Sequence, residues 1–538
     1  MSAATTAADL SLLDTTAGTA PAAGRRRFSP GRVGERLVGA VLVALSIVPV
    51  ARYLFVVAHR IAYPYELEWT EGGSVEVVHR VVLGQGIYGP PSMHFTPWPY
   101  TPLYFWVSAA VAEFTGIGFT PLRLVSFTAS LVVLWLLYRM VVGETSDRVA
   151  GIVAVGVYAA TFRLSGAWAD IGRVDSLFLA LTLWALDRSR RARTPRDGVI
   201  VGVLLFLSFF TKQDGLVVAV PVLAWLLLAR RGAGVSAFAT LGGLVVGSTV
   251  VLDAFTHGWY QYYVFDELRS QGWVGENLRF FWQLSILKPF ALVAWLVAVA
   301  AVVVLVRDRR RLGVLRSRVG FWIAAAAGLF GAAWIGRLHN GGFDDVLMPA
   351  YAAVALAAGG SVSLLRRQRR VAVRVVVSLV LACVLAAQLH HIDYPVDRQI
   401  PTQADARAGA HLIALIRHLP GRVLVFDHPY YGVIAGKGTV ADEEAANDIE
   451  RSGQSVARRL LIRSMEHALL APGVGAVILD DRGDERNLQG ELSADYHLLP
   501  QPAVTSNAFF PVTDLPQRPT LVFVRDGGPT PHAGGPHG

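Results

Sequence analysis

Twelve long apolar runs divide the first 390 residues of the chain, and they restrict its fold more than any other feature. They lie at roughly 36–58, 101–117, 121–142, 149–163, 173–187, 198–211, 213–229, 235–256, 287–306, 319–335, 344–362 and 371–389. About 20 apolar residues span a ~30 Å hydrocarbon layer. Runs of this length and number describe a polytopic α-helical membrane protein, not the three or four soluble domains that 538 residues would otherwise suggest. Charged residues make up 17% of the chain, against about 25% in soluble proteins.

The basic residues set the orientation, because Lys and Arg are enriched on the cytoplasmic side. About half of the 49 fall in short clusters at Arg25–Arg36, Arg139–Arg148, Arg188–Arg196, Arg230–Arg231, Arg307–Arg318 and Arg366–Arg374. The net charge of +9 is therefore read as a topology signal, with no nucleic-acid partner implied. For the N-terminus and the 139–148 loop both to be cytoplasmic, one of the three runs between them must not cross. Run 101–117 is the shortest of the three, carries Glu113, and has its start broken by Pro97, Pro99 and Pro102. It is assigned to the outer interface.

About eleven transmembrane helices result. The N-terminus is expected inside, the C-terminus outside, and the chain in the cytoplasmic membrane. The first run is read as a retained anchor, since no good cleavage site follows it.

This topology divides the chain into a disordered tail (1–33), a transmembrane domain (34–392) with a first outer loop at 59–120, a small extracytoplasmic α/β domain (393–526) and a second tail (527–538). In the α/β domain, strand-like segments at 421–427, 475–480 and 520–525 alternate with helical patterns at 404–419 and 455–470. Cys383 is the single cysteine, which excludes a disulfide framework or a Cys-based metal site. Neither a phosphate-binding loop nor a dinucleotide fingerprint occurs, so no nucleotide-sugar site is indicated.

The acids and aromatics collect in the outer loops. In the first, Glu66, Glu68 and Glu71 fall within six residues, interleaved with Tyr65 and Trp69. Gly84, Tyr88 and the run Thr101-Pro102-Leu103-Tyr104 follow. A carboxylate at headgroup depth can serve as general base or metal ligand; a solvated loop is the simpler reading. Next comes Asp170-Ile171-Gly172-Arg173-Val174-Asp175, with Asp175 at the mouth of a span and Arg173 near enough to pair with it.

Lys212 lies in the turn Phe210-Thr211-Lys212-Gln213-Asp214. The run before it is only about 14 residues, too short to span ~30 Å, which sets Lys212 in a depression where it could pair with Asp214. The loop from Arg337 to Asp345 holds His339 and Asn340, suited to sugar hydroxyls or a phosphate, or to capping two spans. The aromatic loop 257–286 reads first as an interfacial belt.

The first-loop pattern resembles the GT-C superfamily of membrane glycosyltransferases, which includes protein O-mannosyltransferases and the aminoarabinose transferases of lipid A. In that pattern an Asp-Glu pair follows the first span; a Gly, a Tyr and a Pro-Leu-Tyr-like run come later. Thr70-Glu71-Gly72 falls on Asp-Glu-Gly, Gly84 and Tyr88 on the Gly and Tyr, and Thr101 to Tyr104 on the last element. Thr70 replaces the family's first acid, so the base role passes to Glu71 by register, or to Glu68. The resemblance also implies that Asp175 faces the active site and that Lys212 binds the phosphate of a polyprenyl-phosphate donor.

The expected activity is inverting glycosyl transfer from a polyprenyl-phosphate sugar to a glycan, lipid or protein acceptor outside the cytoplasmic membrane. Catalysis is expected from Glu71, Glu68 and Asp175. Lys212, Arg173, Arg337, His339, Asn340, Tyr88 and Tyr104 are expected to bind substrate, and Asp175 to hold a divalent cation if one is used. Two other readings stand beside it. A lipid-linked-sugar flippase would need charges midway along several spans and inverted repeats. A non-catalytic glycan-binding membrane protein would need only the loops and the C-terminal domain.

Overall fold

A computed structural model describes residues 30–307, 318–453, 455–471, 473–481, 492 and 495–527. The N-terminal tail up to residue 29 and most of the C-terminal tail lie outside the described residues. Helix α1 runs from Pro30 to Arg60, about 46 Å at 1.5 Å per residue. Among the described residues six helices are long and apolar enough to cross a membrane: α1, α4 (Phe119–Thr145), α9 (Arg231–Thr256), α11 (Arg318–Leu338), the helix ending at Arg366, and α13 (Val371–His391). A seventh span results if Asn277–Leu287 and Ala291–Val304 count together; they are bent by 85° at a break containing Pro289, which cannot continue a hydrogen-bond ladder.

The remaining helices of the bundle are shorter. They are α3 (Leu103–Thr115), α5 (Arg148–Ala160), α6 (Asp175–Arg191), α7 (Pro195–Phe209) and α8 (Gly215–Ala229). At 13 residues, α3 is about 20 Å long. Helix α10 is Ala291–Arg307 and α12 is Met348–Arg366. The segment expected as the aromatic loop 257–286 is largely helical, with Tyr260, Tyr263 and Phe281 buried.

Small residues let these helices approach closely, which is how apolar helices associate where lipid offers no hydrophobic drive. A Cβ on Gly156 of α5 would lie 2.5 Å from the carbonyl oxygen of Ser46 on α1. One on Gly202 of α7 would lie 2.7 Å from that of Ala237 on α9. Neither position admits a side chain without moving a backbone.

After His391 the chain forms helix Gln403–His418, strand β1 (Arg422–Val425), helices Glu443–Arg451 and Val456–Leu470, and strands β2 (Val474–Leu479), β3 (Tyr496–Leu498) and β4 (Leu521–Arg525). The sheet order is β1-β2-β4-β3, with β1 and β2 parallel and the other pairs antiparallel. β3, with three residues and no alternation to read, has no counterpart among the strands expected from sequence. This region is not separate from the loop that follows α1. Tyr65, Val75 and Val78 share one apolar core with Leu412, Ile416, Tyr430 and Phe509, and the Tyr65 and Phe509 rings meet edge-on at 5.3 Å.

Candidate active site

The loop after α1 turns into helix α2 (Glu71–Val82) at Thr70. Glu71 opens that helix fully buried. Arg123 of α4 grips it with both arms, Nε donating to Oε1 at 2.8 Å and Nη2 to Oε2 at 2.7 Å. The backbone N–H groups of Gly172 (2.7 Å) and Leu67 (3.0 Å) complete the set. Four donors on one buried carboxylate leave it no face for a substrate. Arg123 spends its other protons on the carbonyls of Tyr63 and Tyr65, each at 2.6 Å. The pair is the knot that shapes the loop. Asp170 is used similarly, gripped by Arg60 at 2.8 and 2.5 Å.

Glu68 has a different environment. It is also fully buried, but its partner is the neutral Thr70, whose N–H and hydroxyl donate to it at 2.9 to 3.0 Å. Arg173 reaches the same hydroxyl at 2.6 Å and the Tyr100 hydroxyl at 3.3 Å. The Arg173 guanidinium lies 4.8 Å from the Trp98 ring centre and 5.0 Å from that of Trp168. Burial pushes the Glu68 carboxyl up to about 6, against the pull of Arg173 and the Thr70 hydrogen bonds. Asp514, delivered by the C-terminal region, lies against Glu68, and burial and then the Glu68 charge push its carboxyl up to about 9. The adjoining Thr513 N–H donates to the Leu67 carbonyl at 3.3 Å.

Lys212 adjoins this group. It lies in the turn after α7, a 15-residue helix about 22 Å long, and is buried. Its Nζ meets Asp175 at 2.7 Å, Asp345 at 3.3 Å and Asp214 at 3.8 Å. The expected Lys212–Asp214 pairing is thus the longest of three contacts. Among the described residues no group of three or more His, Cys, Asp or Glu is arranged to hold a metal ion, and Asp175 is held by the ammonium.

The other expected residues lie apart from this cluster. Tyr88 donates to the Tyr100 carbonyl at 2.7 Å and packs edge-on against Tyr260. Tyr104, fully buried, bonds the Leu122 carbonyl and Ser126, each at 3.1 Å. Arg337 closes its own loop on the Gly342 carbonyl at 3.0 Å and Asp344 at 3.4 Å. His339 bridges to Trp273, and the Asn340 N–H donates to the Gly272 carbonyl. From that loop only Asp345 reaches Lys212.

Sequence reasoning missed a second buried arrangement. His428, after β1, lies between Glu66 of the first loop, which it contacts through Nδ1, and Asp480 after β2, which its Nε2 meets at 3.0 Å. Burial opposes the imidazolium, but the two carboxylates outweigh it and hold its pKa well above the usual value. Burial drives the Glu66 carboxyl up to about 7 in spite of His428. The signals were in view separately, as a Glu in an acidic loop and a His and an Asp after strands, 362 residues apart for the first pair.

Residues 98–255, which carry Trp98, Tyr100, Arg123, Arg173, Asp175 and Lys212, match the family described as dolichyl-phosphate-mannose-protein mannosyltransferase. No curated protein matches the sequence. Among solved structures, ArnT from Cupriavidus metallidurans bound to undecaprenyl phosphate superposes with a TM-score of 0.55 at 11% identity, over 89% of this chain and 97% of that one. The Archaeoglobus fulgidus oligosaccharyltransferase in its apo form gives 0.51 at 12% identity, over 80% and 69%. The chain is a multi-pass membrane protein with the fold of the GT-C glycosyltransferases. Within that fold it resembles the O-mannosyltransferase and ArnT group.

Proposed function

We propose that the protein transfers a sugar from a polyprenyl-phosphate donor to an acceptor hydroxyl on the outer face of the cytoplasmic membrane, with Glu68 as general base. The observation that carries this reading is the contrast between two neighbouring carboxylates: Glu71 is saturated by Arg123 and two backbone donors, whereas Glu68 is held by Thr70 alone among its hydrogen-bond donors and sits near pKa 6. A base poised close to working pH is what proton abstraction requires.

Glu68 takes the proton as the acceptor oxygen bonds to the anomeric carbon. The bond from that carbon to the donor phosphate oxygen breaks in the same step. Lys212 and Arg173 meet the charge that develops on the departing phosphate, and Asp175 and Asp345 hold Lys212 in place until it does. One base and one direct displacement invert the anomeric centre. Trp98, Tyr100 and Trp168 offer ring faces for the sugar.

The fold likeness to a protein solved with undecaprenyl phosphate and the match to a mannosyltransferase family support the donor class. The test is transfer of radiolabelled sugar from a polyprenyl-phosphate donor in membranes. Glu68→Gln should fold normally and lose roughly 10²–10⁴-fold in rate. A fully active Glu68→Gln protein would remove Glu68 from the chemistry.

A further inference from the structure

The end of the bundle away from the carboxylate cluster carries a second cavity system. Asp175 begins α6 and Arg190 and Arg191 end it; Lys212 precedes α8 and Arg230 follows it. The two ends are separated by about 24 Å of helix. Arg190, Arg191, Arg193, Arg230 and Arg318 line a cavity of about 250 Å³ whose apolar side is formed by Trp225 and Phe321. Among the described residues Glu144 is the only acid lining it. It pairs with Arg190 at 3.2 Å and Arg318 at 3.8 Å. Asp187, behind the cavity, takes Arg139, Arg190 and Arg191. Among the described residues Arg193 and Arg230 have no acidic partner.

Arginines that served topology alone would point into water. Arg190 does not: its side chain is only 10% exposed and its Nε is buried without a hydrogen-bond partner. The cavity also continues. Through Glu144 and Arg318 it joins a groove of about 510 Å³ between α10, α11 and α12, whose walls include Val297, Ala300, Trp322, Leu329, Leu356 and Gly360. A cationic chamber opening into an apolar groove at the end of a bundle matches a charged headgroup joined to a hydrocarbon chain; a soluble anion would leave the groove unused.

We infer that this end of the bundle binds an anionic diacyl phospholipid of the facing leaflet, with its phosphate among the arginines and one acyl chain in the groove. The charge complementarity is specific to a lipid of net negative charge, because a zwitterionic headgroup carries a cation that five arginines repel. Basic pockets between transmembrane helices on the cytoplasmic side are a known form of lipid recognition. This inference does not depend on the glycosyltransferase reading.

The full-length protein, purified in a neutral maltoside detergent and stripped of lipid, is titrated with dioleoylphosphatidylglycerol, dioleoylphosphatidylcholine and sn-glycerol 3-phosphate. Retention is followed by native mass spectrometry. Phosphatidylglycerol should bind at least about tenfold tighter than phosphatidylcholine. Arg193→Gln with Arg230→Gln, both exposed and outside the ion pairs, should bring that ratio close to one at an unchanged unfolding temperature. Gly360→Leu places its side chain in open space within the groove. It should weaken both diacyl lipids and leave glycerol phosphate unaffected. Equal retention of the two lipids by the unaltered protein, glycerol phosphate binding as tightly as phosphatidylglycerol, or diacyl binding indifferent to Gly360→Leu overturns the assignment.

Discussion

Arg123 holds Glu71 with both ends of its fork, at 2.8 and 2.7 Å, and neither side chain is exposed to solvent. Breaking a buried ion pair from one side costs about 3–5 kcal/mol, because the remaining charge stays desolvated. Arg123→Met is therefore expected to destabilise the protein by that amount and to lower its yield in membranes. Glu71→Gln keeps the shape and part of the hydrogen bonding and should cost less. Thermal unfolding in detergent measures both. A Glu71→Gln protein of normal stability and negligible transfer would return the base role to Glu71.

Lys212 neutralises two buried carboxylates at once, Asp175 and Asp345. Lys212→Met should raise the KM for the lipid donor and lower kcat together, since the ammonium is assigned to the donor phosphate before and during its departure. Lys212→Arg should recover part of the loss. Steady-state kinetics with varied donor would show a change in acceptor KM alone if Lys212 served the other substrate.

Transfer should fall on acidification along a single limb near pH 6, where Glu68 gains its proton. Thr70→Val removes the hydroxyl that favours the charged form, so the limb should move to higher pH. Asp514, with its carboxyl pushed up to about 9, is already uncharged near pH 6, so Asp514→Asn should leave the limb in place. The linkage has the opposite sign for stability: a carboxyl raised in the folded state contributes most below its ordinary pKa, and that contribution is lost as pH rises through about 6. A pH–rate profile that stays fixed in Thr70→Val would place the titrating group elsewhere.

His428→Ala leaves Glu66 and Asp480 buried without their shared partner. The expected loss is a few kcal/mol, concentrated where the C-terminal region meets the first loop. Limited proteolysis should then cut after His391 faster than in the unaltered protein. Unchanged protection would show that the apolar contacts of Tyr65 and Phe509 suffice.

Parts of the candidate site were legible from sequence because single residues carried a local anomaly. Lys212 follows a run too short to cross a bilayer, and Asp175 opens a span. The role of Glu71 was not legible, because its partner Arg123 lies 52 residues away inside a run that otherwise reads as lipid-facing. Family register pointed to Glu71, whereas hydrogen-bond saturation separates it from Glu68, and only coordinates reveal saturation. Tyr88 and Tyr104 sat on the family pattern, but their hydroxyls turn to backbone carbonyls. Asp514 had no signal at all: it lies in an irregular segment, and its φ of +66° is a conformation that aspartate tolerates and sequence does not announce.

The position of Asp514 and Thr513 near the end of the chain bears on how the protein is made. Asp514, which lies against Glu68, follows every helix of the bundle in the chain. Every helix of the bundle can be inserted, and the first loop knotted by Arg123, while Glu68 still lacks its neighbour. Under the proposed function, the transfer site is therefore complete only once the C-terminal region has settled onto the first loop.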